Sequence, residues 1–174
     1  MRTGVFGGSF NPIHSGHIAI ANYFYHSGLL DEVWLLVSPQ NPLKDSHLAD
    51  NAAQRLEDCR RAIVPYPYLQ VCDIEFSLPR PSYMAQSLQA LQERYPQRNF
   101  SLIIGGDNLD CFERWKDYRY ILDNFDVLVY PRPGYSNRVP QDWTRVRLFE
   151  DATLMDISST QLRQARQQLK AKNK

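Results

Sequence analysis

The sequence predicts a single α/β domain built on one doubly wound parallel sheet with helices on both faces, and three observations carry that expectation. Short apolar runs of strand length, such as Val33-Trp34-Leu35-Leu36-Val37 and Asp126-Val127-Leu128-Val129-Tyr130, alternate with segments whose apolar residues recur at helical spacing. The runs are nearly continuous rather than alternating, as strands covered on both faces are. Two of them lead into paired glycines, Gly7-Gly8 and Gly105-Gly106, which suits the rim beyond the carboxyl ends of such strands, where ligands bind.

Residues 2 to 6 suit a buried first strand, and Gly7-Gly8 read as a turn whose backbone N–H groups are bare of side chains. Gly16 to His26, with Ile18, Ile20, Ala21, Phe24 and Tyr25, predicts the first helix. Val33 to Val37 is the second strand, giving a βαβ unit. Pro39 to Asp50 reads as a loop that carries Lys44 at the ligand side of the sheet.

Asn51 to Val64 predicts a helix with an Asn cap, and Leu69 to Ile74 a third strand. After Pro79-Arg80-Pro81, Ser82 reads as the N-cap of a helix over Tyr83 to Tyr95. Phe100 to Ile104, Asp126 to Tyr130 and Arg145 to Phe149 complete a sheet of six strands. Ile157-Ser158-Ser159-Thr160-Gln161-Leu162-Arg163 opens a last helix, with Leu162, Ala165 and Leu169 on its packing face. The whole, residues 1–174, is expected to form one Rossmann-like domain.

Composition narrows the function. A formal charge of +1 excludes a polyanion-binding surface of the size nucleic acids need, so no nucleic-acid partner is expected. Cys59, Cys72 and Cys111 are odd in number, widely spaced and free of Cys-x-x-Cys, against both a disulfide framework and a zinc site. No apolar run reaches the length of a membrane span, and the chain enters its first strand without a signal-type apolar region. These features predict a cytoplasmic protein with free thiols, no membrane partner and no protein-held metal. The oligomeric state is not readable, and a homo-oligomer stays open.

The candidate site begins at Gly7-Gly8-Ser9-Phe10-Asn11-Pro12-Ile13-His14-Ser15-Gly16-His17. Strand, bare turn and helix start make an anion site, because unpaired N–H groups and the helix dipole both favour negative charge. His14 and His17 are three residues apart, close to one helical turn, so both rings can face one volume across Gly16 if the helix begins near Ser15. A histidine at a helix start also serves as a plain cap. At the other end, Ser158, Thr160 and Arg163 gather anion-binding groups at one helix N-terminus.

Between them, Arg132 is held at a proline-rich tip, suited to a phosphate or to a plain turn. Asp107 could accept from ribose hydroxyls or cap the helix that follows. Trp115 could belong to the core or stack on a ring. The N–H groups after Ser82 could bind a second anion.

Neither Gly-x-x-x-x-Gly-Lys-[Ser/Thr] nor Gly-x-Gly-x-x-Gly occurs, which disfavours a P-loop kinase and a conventional dehydrogenase. Gly7-Gly8-Ser9-Phe10-Asn11 is reminiscent of the hydrolase elbow Gly-x-Ser-x-Gly, but its fifth residue is Asn and a first strand is an unusual place for it. Many phosphate ligands and no evident nucleophile suit direct transfer between phosphates, in which the protein aligns the attacking oxygen and neutralises developing charge.

The opening motif resembles the Gly-Gly-[Ser/Thr]-Phe-[Asp/Asn]-Pro-x-His-x-Gly-His signature of the nucleotidyltransferase superfamily. Ile157-Ser158-Ser159-Thr160-Gln161-Leu162-Arg163 is similar to its second signature, Ile-Ser-[Ser/Thr]-Thr-x-x-Arg. Pro39 to Lys44, Pro81-Ser82-Tyr83, Ile104-Gly105-Gly106-Asp107 with Phe112 and Trp115, and Arg132-Pro133-Gly134-Tyr135 are similar in kind and order to bacterial nicotinate-nucleotide adenylyltransferases.

The resemblance implies that the 5′-phosphate of nicotinate mononucleotide attacks the α-phosphorus of ATP, giving nicotinate adenine dinucleotide and pyrophosphate. It implies that His14 and His17 stabilise the α-phosphate and leaving group, with Lys44 addressing phosphate. Ser158, Thr160 and Arg163 would hold the β- and γ-phosphates. Gly7, Gly8, Ser9 and Phe10 would line the nucleotide turn, and Gly105 and Asp107 the ribose region. On the mononucleotide side stand Lys44 and Arg132 for the phosphate, Trp115 stacked on the pyridine ring, and the N–H groups at Ser82, Tyr83 and Met84 for its carboxylate. Mg²⁺ would travel with ATP.

Two departures stand out. The family commonly has Thr where this chain has Met84, so acid-over-amide selection would rest on backbone N–H groups alone, and the chain stops eleven residues after Arg163 where relatives usually continue. The alternatives are adenylyl transfer to nicotinamide mononucleotide or phosphopantetheine, and a nucleotide-binding module without catalysis.

Overall fold

The computed structural model describes residues 1–40 and 51–152. Six strands form one all-parallel sheet: β1 (Arg2–Gly8), β2 (Glu32–Val37), β3 (Leu69–Cys72), β4 (Asn99–Gly105), β5 (Asp126–Tyr130) and β6 (Val146–Leu148). Their order is β3-β2-β1-β4-β5-β6. The chain therefore winds outward one way from β1 through β3, then the other way from β4 to β6, and the switch falls between β1 and β4. In a doubly wound sheet that switch opens a crevice at the carboxyl ends of the strands.

The helices among the described residues are α1 (Ser15–His26), α2 (Ala52–Ala62), α3 (Met84–Arg94), α4 (Gly106–Leu109) and α5 (Tyr118–Asn124). Alternation along the strands sends successive side chains to opposite faces. Val5, Trp34, Leu36, Leu102, Ile104, Val127 and Val129 pack with Leu88 and Leu91 of α3 and Ile121 of α5. Phe6, Val33, Leu35, Val37, Ile103, Leu128 and Tyr130 pack with Ile18, Ala21 and Phe24 of α1 and with Leu56 and Cys59 of α2. Two apolar cores on one sheet explain why the strand sequences read as nearly unbroken apolar runs.

The six predicted strands and the predicted helices that fall among the described residues are present, with instructive shifts. Gly7 and Gly8 are not a turn but the end of β1, paired with Leu36 and Val37; the chain turns only at Ser9 and at Phe10, which has φ 44. Without Cβ atoms the pair extends the ladder to the rim while keeping the strand surface open. β2 starts one residue before the expected Val33, at Glu32, a buried carboxylate that is partnered there: Thr3 Oγ1 donates to it at 2.7 Å, Gln70 Nε2 at 3.0 Å, and Arg98 pairs with it.

The third strand stops at Cys72, where pairing with β2 ends, and a 3₁₀ turn over Ile74–Phe76 replaces its expected end. Asn51 occupies the N-cap position of α2 but is left-handed, φ 81, and its side chain makes no capping bond. Ser82 is not the N-cap of α3; Tyr83 holds that position, because the Ser82 hydroxyl is engaged elsewhere. The last predicted helix lies outside the described residues.

Candidate active site

The rim at the end of β1 carries two structures. The first is the start of α1. His14 is its N-cap, in extended conformation, and its Nδ1 accepts the Gly16 N–H at 3.1 Å, while Nδ1 of His17 accepts the His14 N–H at 3.2 Å. This reciprocal capping box uses both rings, which lie 3.8 Å apart between centroids. The plain-cap and shared-volume readings of the pair are therefore compatible: capping brings the rings together.

An Nδ1 that accepts a backbone N–H carries no proton, so each neutral ring bears its proton on Nε2. Burial, and secondarily the nearby Arg132 guanidinium, holds His14 below the usual histidine range. His14 is thus a neutral donor near pH 7. Phe10, 2% exposed, packs edge-on against the His17 ring at 5.0 Å. Its side chain belongs to the floor, and only its backbone reaches the rim.

The second structure is a cleft lined by Gly7, Gly8, Ser38, Glu75, Ser82, Tyr83, Met84, Asn108, Arg114, Trp115 and Lys116. At about 130 Å³ it is roughly ten times what a single water requires, enough for an aromatic ring. It gathers residues from the end of β1, the start of α3 and the segment before α5, elements far apart in sequence. Trp115 packs on Phe112 of the core at 5.0 Å and lines the cleft as well, so it serves both of its alternatives; its buried Nε1 has no hydrogen-bond partner among the described residues. Lys116 Nζ stands 4.7 Å over the Tyr83 ring.

Met84 lies across the floor: a Cβ on Gly7 would collide with its terminal methyl. The missing Cβ at position 7 leaves room for the Met84 methyl to approach the strand end and does not serve a turn.

The start of α3 faces this cleft without a side-chain cap. Ser82 Oγ donates at 2.7 Å to one oxygen of Glu75, and Ser87 Oγ at 2.7 Å to the other. A hydrogen bond to a charged group contributes about 1.5–3 kcal/mol, against about 1 kcal/mol for a serine N-cap, so the carboxylate wins the hydroxyl. The first-turn N–H groups of an eleven-residue helix are left to the cleft.

On the other side of β1, Gly105 ends β4 opposite Tyr130. Asp107 lies 3.4 Å from Arg132, and its buried Oδ1 accepts no hydrogen bond among the described residues. Asn137 fixes the Arg132 segment through both backbone groups, accepting from Arg132 N and donating to Arg132 O, each at 2.9 Å. Arg132 therefore stands with Asp107 and near His14 rather than in the cleft wall. Asp107 sits inside α4, one residue past its Gly106 start, and makes no capping bond.

Lys44, Ser158, Thr160 and Arg163 lie outside the described residues. Four contributors escaped the sequence reading. Arg55 is buried, 5% exposed, and donates to the carbonyls of Ser9, Ser38 (2.8 Å) and Pro39 (3.0 Å), tying the turn after β1 to the end of β2. Arg114 and Lys116 put cations in the cleft beside Trp115, and Glu75 organises α3. An arginine inside an apolar helix face was the available signal for Arg55, and charges flanking Trp115 for the cations; Glu75 had none. Among the described residues no group of three or more His, Cys, Asp or Glu could hold a metal ion, and no helix is long and apolar enough to cross a membrane.

The cytidylyltransferase-like family model matches residues 5–165. Two relatives named "Probable nicotinate-nucleotide adenylyltransferase" are close: that of Cytophaga hutchinsonii is 45% identical over 94% of this chain and 84% of its own length, and that of Bacteroides fragilis 46% identical over 94% and 81%. The chain belongs to the cytidylyltransferase-like family, among the nicotinate-nucleotide adenylyltransferases. In fold, this family member superposes on the Plasmodium falciparum nicotinic acid mononucleotide adenylyltransferase solved in complex with NaAD, with a TM-score of 0.74, 15% identity, and coverage of 94% of this chain and 82% of that one.

Proposed function

We propose that this adenylyltransferase joins ATP and nicotinate mononucleotide to give nicotinate adenine dinucleotide and pyrophosphate, a step of NAD biosynthesis, in the cytoplasm. The observation that carries the reading is the cleft beside the histidine pair, with Trp115 in one wall, the uncapped start of α3 in another, and cations Arg114 and Lys116 at hand.

An oxygen of the mononucleotide 5′-phosphate forms the new bond to the α-phosphorus of ATP, and the bond from that phosphorus to the bridging oxygen of pyrophosphate breaks. His14 and His17 donate Nε2 protons to the α-phosphate and leaving oxygens, where charge grows in the transition state. Gly7, Gly8, Ser9 and the Phe10 backbone line the nucleotide, with Gly105 and Asp107 at the ribose. Trp115 stacks on the pyridine ring, and the N–H groups from Tyr83 and Met84 onward take its carboxylate. Arg132 serves the mononucleotide phosphate. Lys44 also addresses phosphate, and Ser158, Thr160 and Arg163 hold the β- and γ-phosphates. Mg²⁺ carried with ATP, rather than held in a protein cage, would supply neutralisation of the triphosphate charge.

Met84 adds no donor to the cleft, which favours testing the amide as a second acceptor. Incubation with ATP, Mg²⁺ and either nicotinate mononucleotide, nicotinamide mononucleotide or phosphopantetheine, with pyrophosphate followed, is expected to give the highest kcat/KM with the acid. Preference for another acceptor would reassign the substrate, and turnover of none would overturn the reading.

A further inference from the structure

Glu75 lines the cleft at 3% exposure and has no part in the transfer described above. It sits on the 3₁₀ turn after β3, and its two carboxylate oxygens take the hydroxyls of Ser82, just before α3, and Ser87, one turn inside it. Both serines are as buried as the carboxylate, at 3% and 0% exposure. The grip has a visible result at the start of α3. Ser82 stays out of the helix, Tyr83 is extended with ψ 143, and no side chain bonds the first-turn N–H groups.

We propose that Glu75 is a positioning residue for the acceptor. By holding Ser82 away from α3 it reserves the first-turn N–H groups for the carboxylate on the pyridine ring. This rests on the adenylyltransferase reading. Donation to Glu75 fixes the Ser82 side chain with its oxygen held at the carboxylate, out of reach of the first-turn N–H groups that would have to donate to it in a cap. Serine beside a helix start otherwise bonds that helix's N–H groups, the preference that makes it a common N-cap. Such a bond would extend α3 back to Tyr83 and fill the anion site with the protein's own hydroxyl. A carboxylate accepts at both oxygens. A glutamine accepts at only one and donates from its amide to the other serine, so charge-assisted bonds give way to neutral ones and the hold on Ser82 against the helix N–H groups weakens.

Steady-state kinetics of the full chain with ATP, Mg²⁺ and nicotinate mononucleotide test this. Glu75→Gln is expected to raise the mononucleotide KM about tenfold, the worth of one hydrogen bond to a charged group, with kcat and the ATP KM changed far less. The double variant Glu75→Gln/Ser82→Ala lacks the competing hydroxyl and is expected to recover most of that KM. A mononucleotide KM unmoved by Glu75→Gln, or a double variant as impaired as the single one, overturns the inference, since a mere packing role predicts that the second truncation adds damage.

Should Glu75→Gln fail to fold by circular dichroism, Ser82→Asn against Ser82→Ala decides. The strong capping residue is expected to raise the KM well above the alanine variant, and equal values overturn the inference. Wild-type protein inactive on both pyridine mononucleotides overturns the functional reading with it, whereas wild-type turnover with no Glu75 effect overturns this inference alone.

Discussion

His14 and His17 cap one helix through each other: the His14 N–H bonds Nδ1 of His17 at 3.2 Å, His14 Nδ1 takes the Gly16 N–H at 3.1 Å, and the rings stand 3.8 Å apart. The arrangement fixes both tautomers with Nε2 as donor, so the local structure that starts α1 also orients the groups proposed to meet phosphate.

Cap and chemistry can be separated at position 17. Glutamine is the other side chain that completes a capping box with its N-cap backbone, so His17→Gln should leave the thermal midpoint nearly unchanged. Its kcat should fall about 10²–10³-fold, as for loss of one transition-state donor. His17→Ala should lose the cap too, about 1 kcal/mol or roughly 2–4 °C for a chain of this size. Calorimetric ATP affinity falling as much as kcat would make His17 an anchor only.

His14 should make stability fall on acidification. Burial, then Arg132, places its folded pKa below the usual value, which is about 6.5 when unfolded. The unfolded chain therefore takes up the proton first as pH drops. The stability contributed by neutral His14 is complete above about pH 6.5 and is lost as pH falls through the folded value. Thermal midpoints between pH 8 and pH 5 should decline less steeply for His14→Asn, which keeps a good N-cap. Parallel curves would assign the decline to other groups.

A methyl at position 7 should narrow the cleft. Its Cβ would strike the end of Met84, a flexible side chain that lines the cleft and would have to shift. Gly7→Ala is expected to raise the mononucleotide KM several-fold with little loss of thermal stability. Adding Met84→Ala should restore much of it, and a double-mutant cycle should show coupling of about 0.5–3 kcal/mol. Strict additivity would show that the two do not meet.

Arg55 should matter to stability first. Arg55→Leu leaves the carbonyls of Ser9, Ser38 and Pro39 without their guanidinium, at a cost of about 2–3 kcal/mol. The thermal midpoint is expected to drop by roughly 4–12 °C, with the turn after β1 loosened and kcat/KM reduced in step. An unchanged midpoint would mean that solvent replaces the guanidinium.

The sheet was legible because a strand covered on both faces must be apolar along its length, and the runs at residues 33–37 and 127–130 are. The histidine pair was legible for a local reason too: the spacing from an N-cap to the third helical residue brings two side chains together at a helix start, as His14 and His17 are. Local period and composition thus determined the order of the described elements and the glycine pairs at the ends of β1 and β4.

Tertiary structure decided what those local rules leave open. Gly7-Gly8 became strand rather than turn because β2 extends far enough to pair with them. Ser82 lost its cap because a carboxylate seven residues earlier offers a stronger bond. Arg55 reaches a carbonyl 46 residues away. Each outcome is a competition between a short-range preference near 1 kcal/mol and a buried polar partner that exists only once the sheet has closed. Such partners have no period in the sequence, and at most a polar residue on an apolar face, as Arg55 is on α2, marks one there.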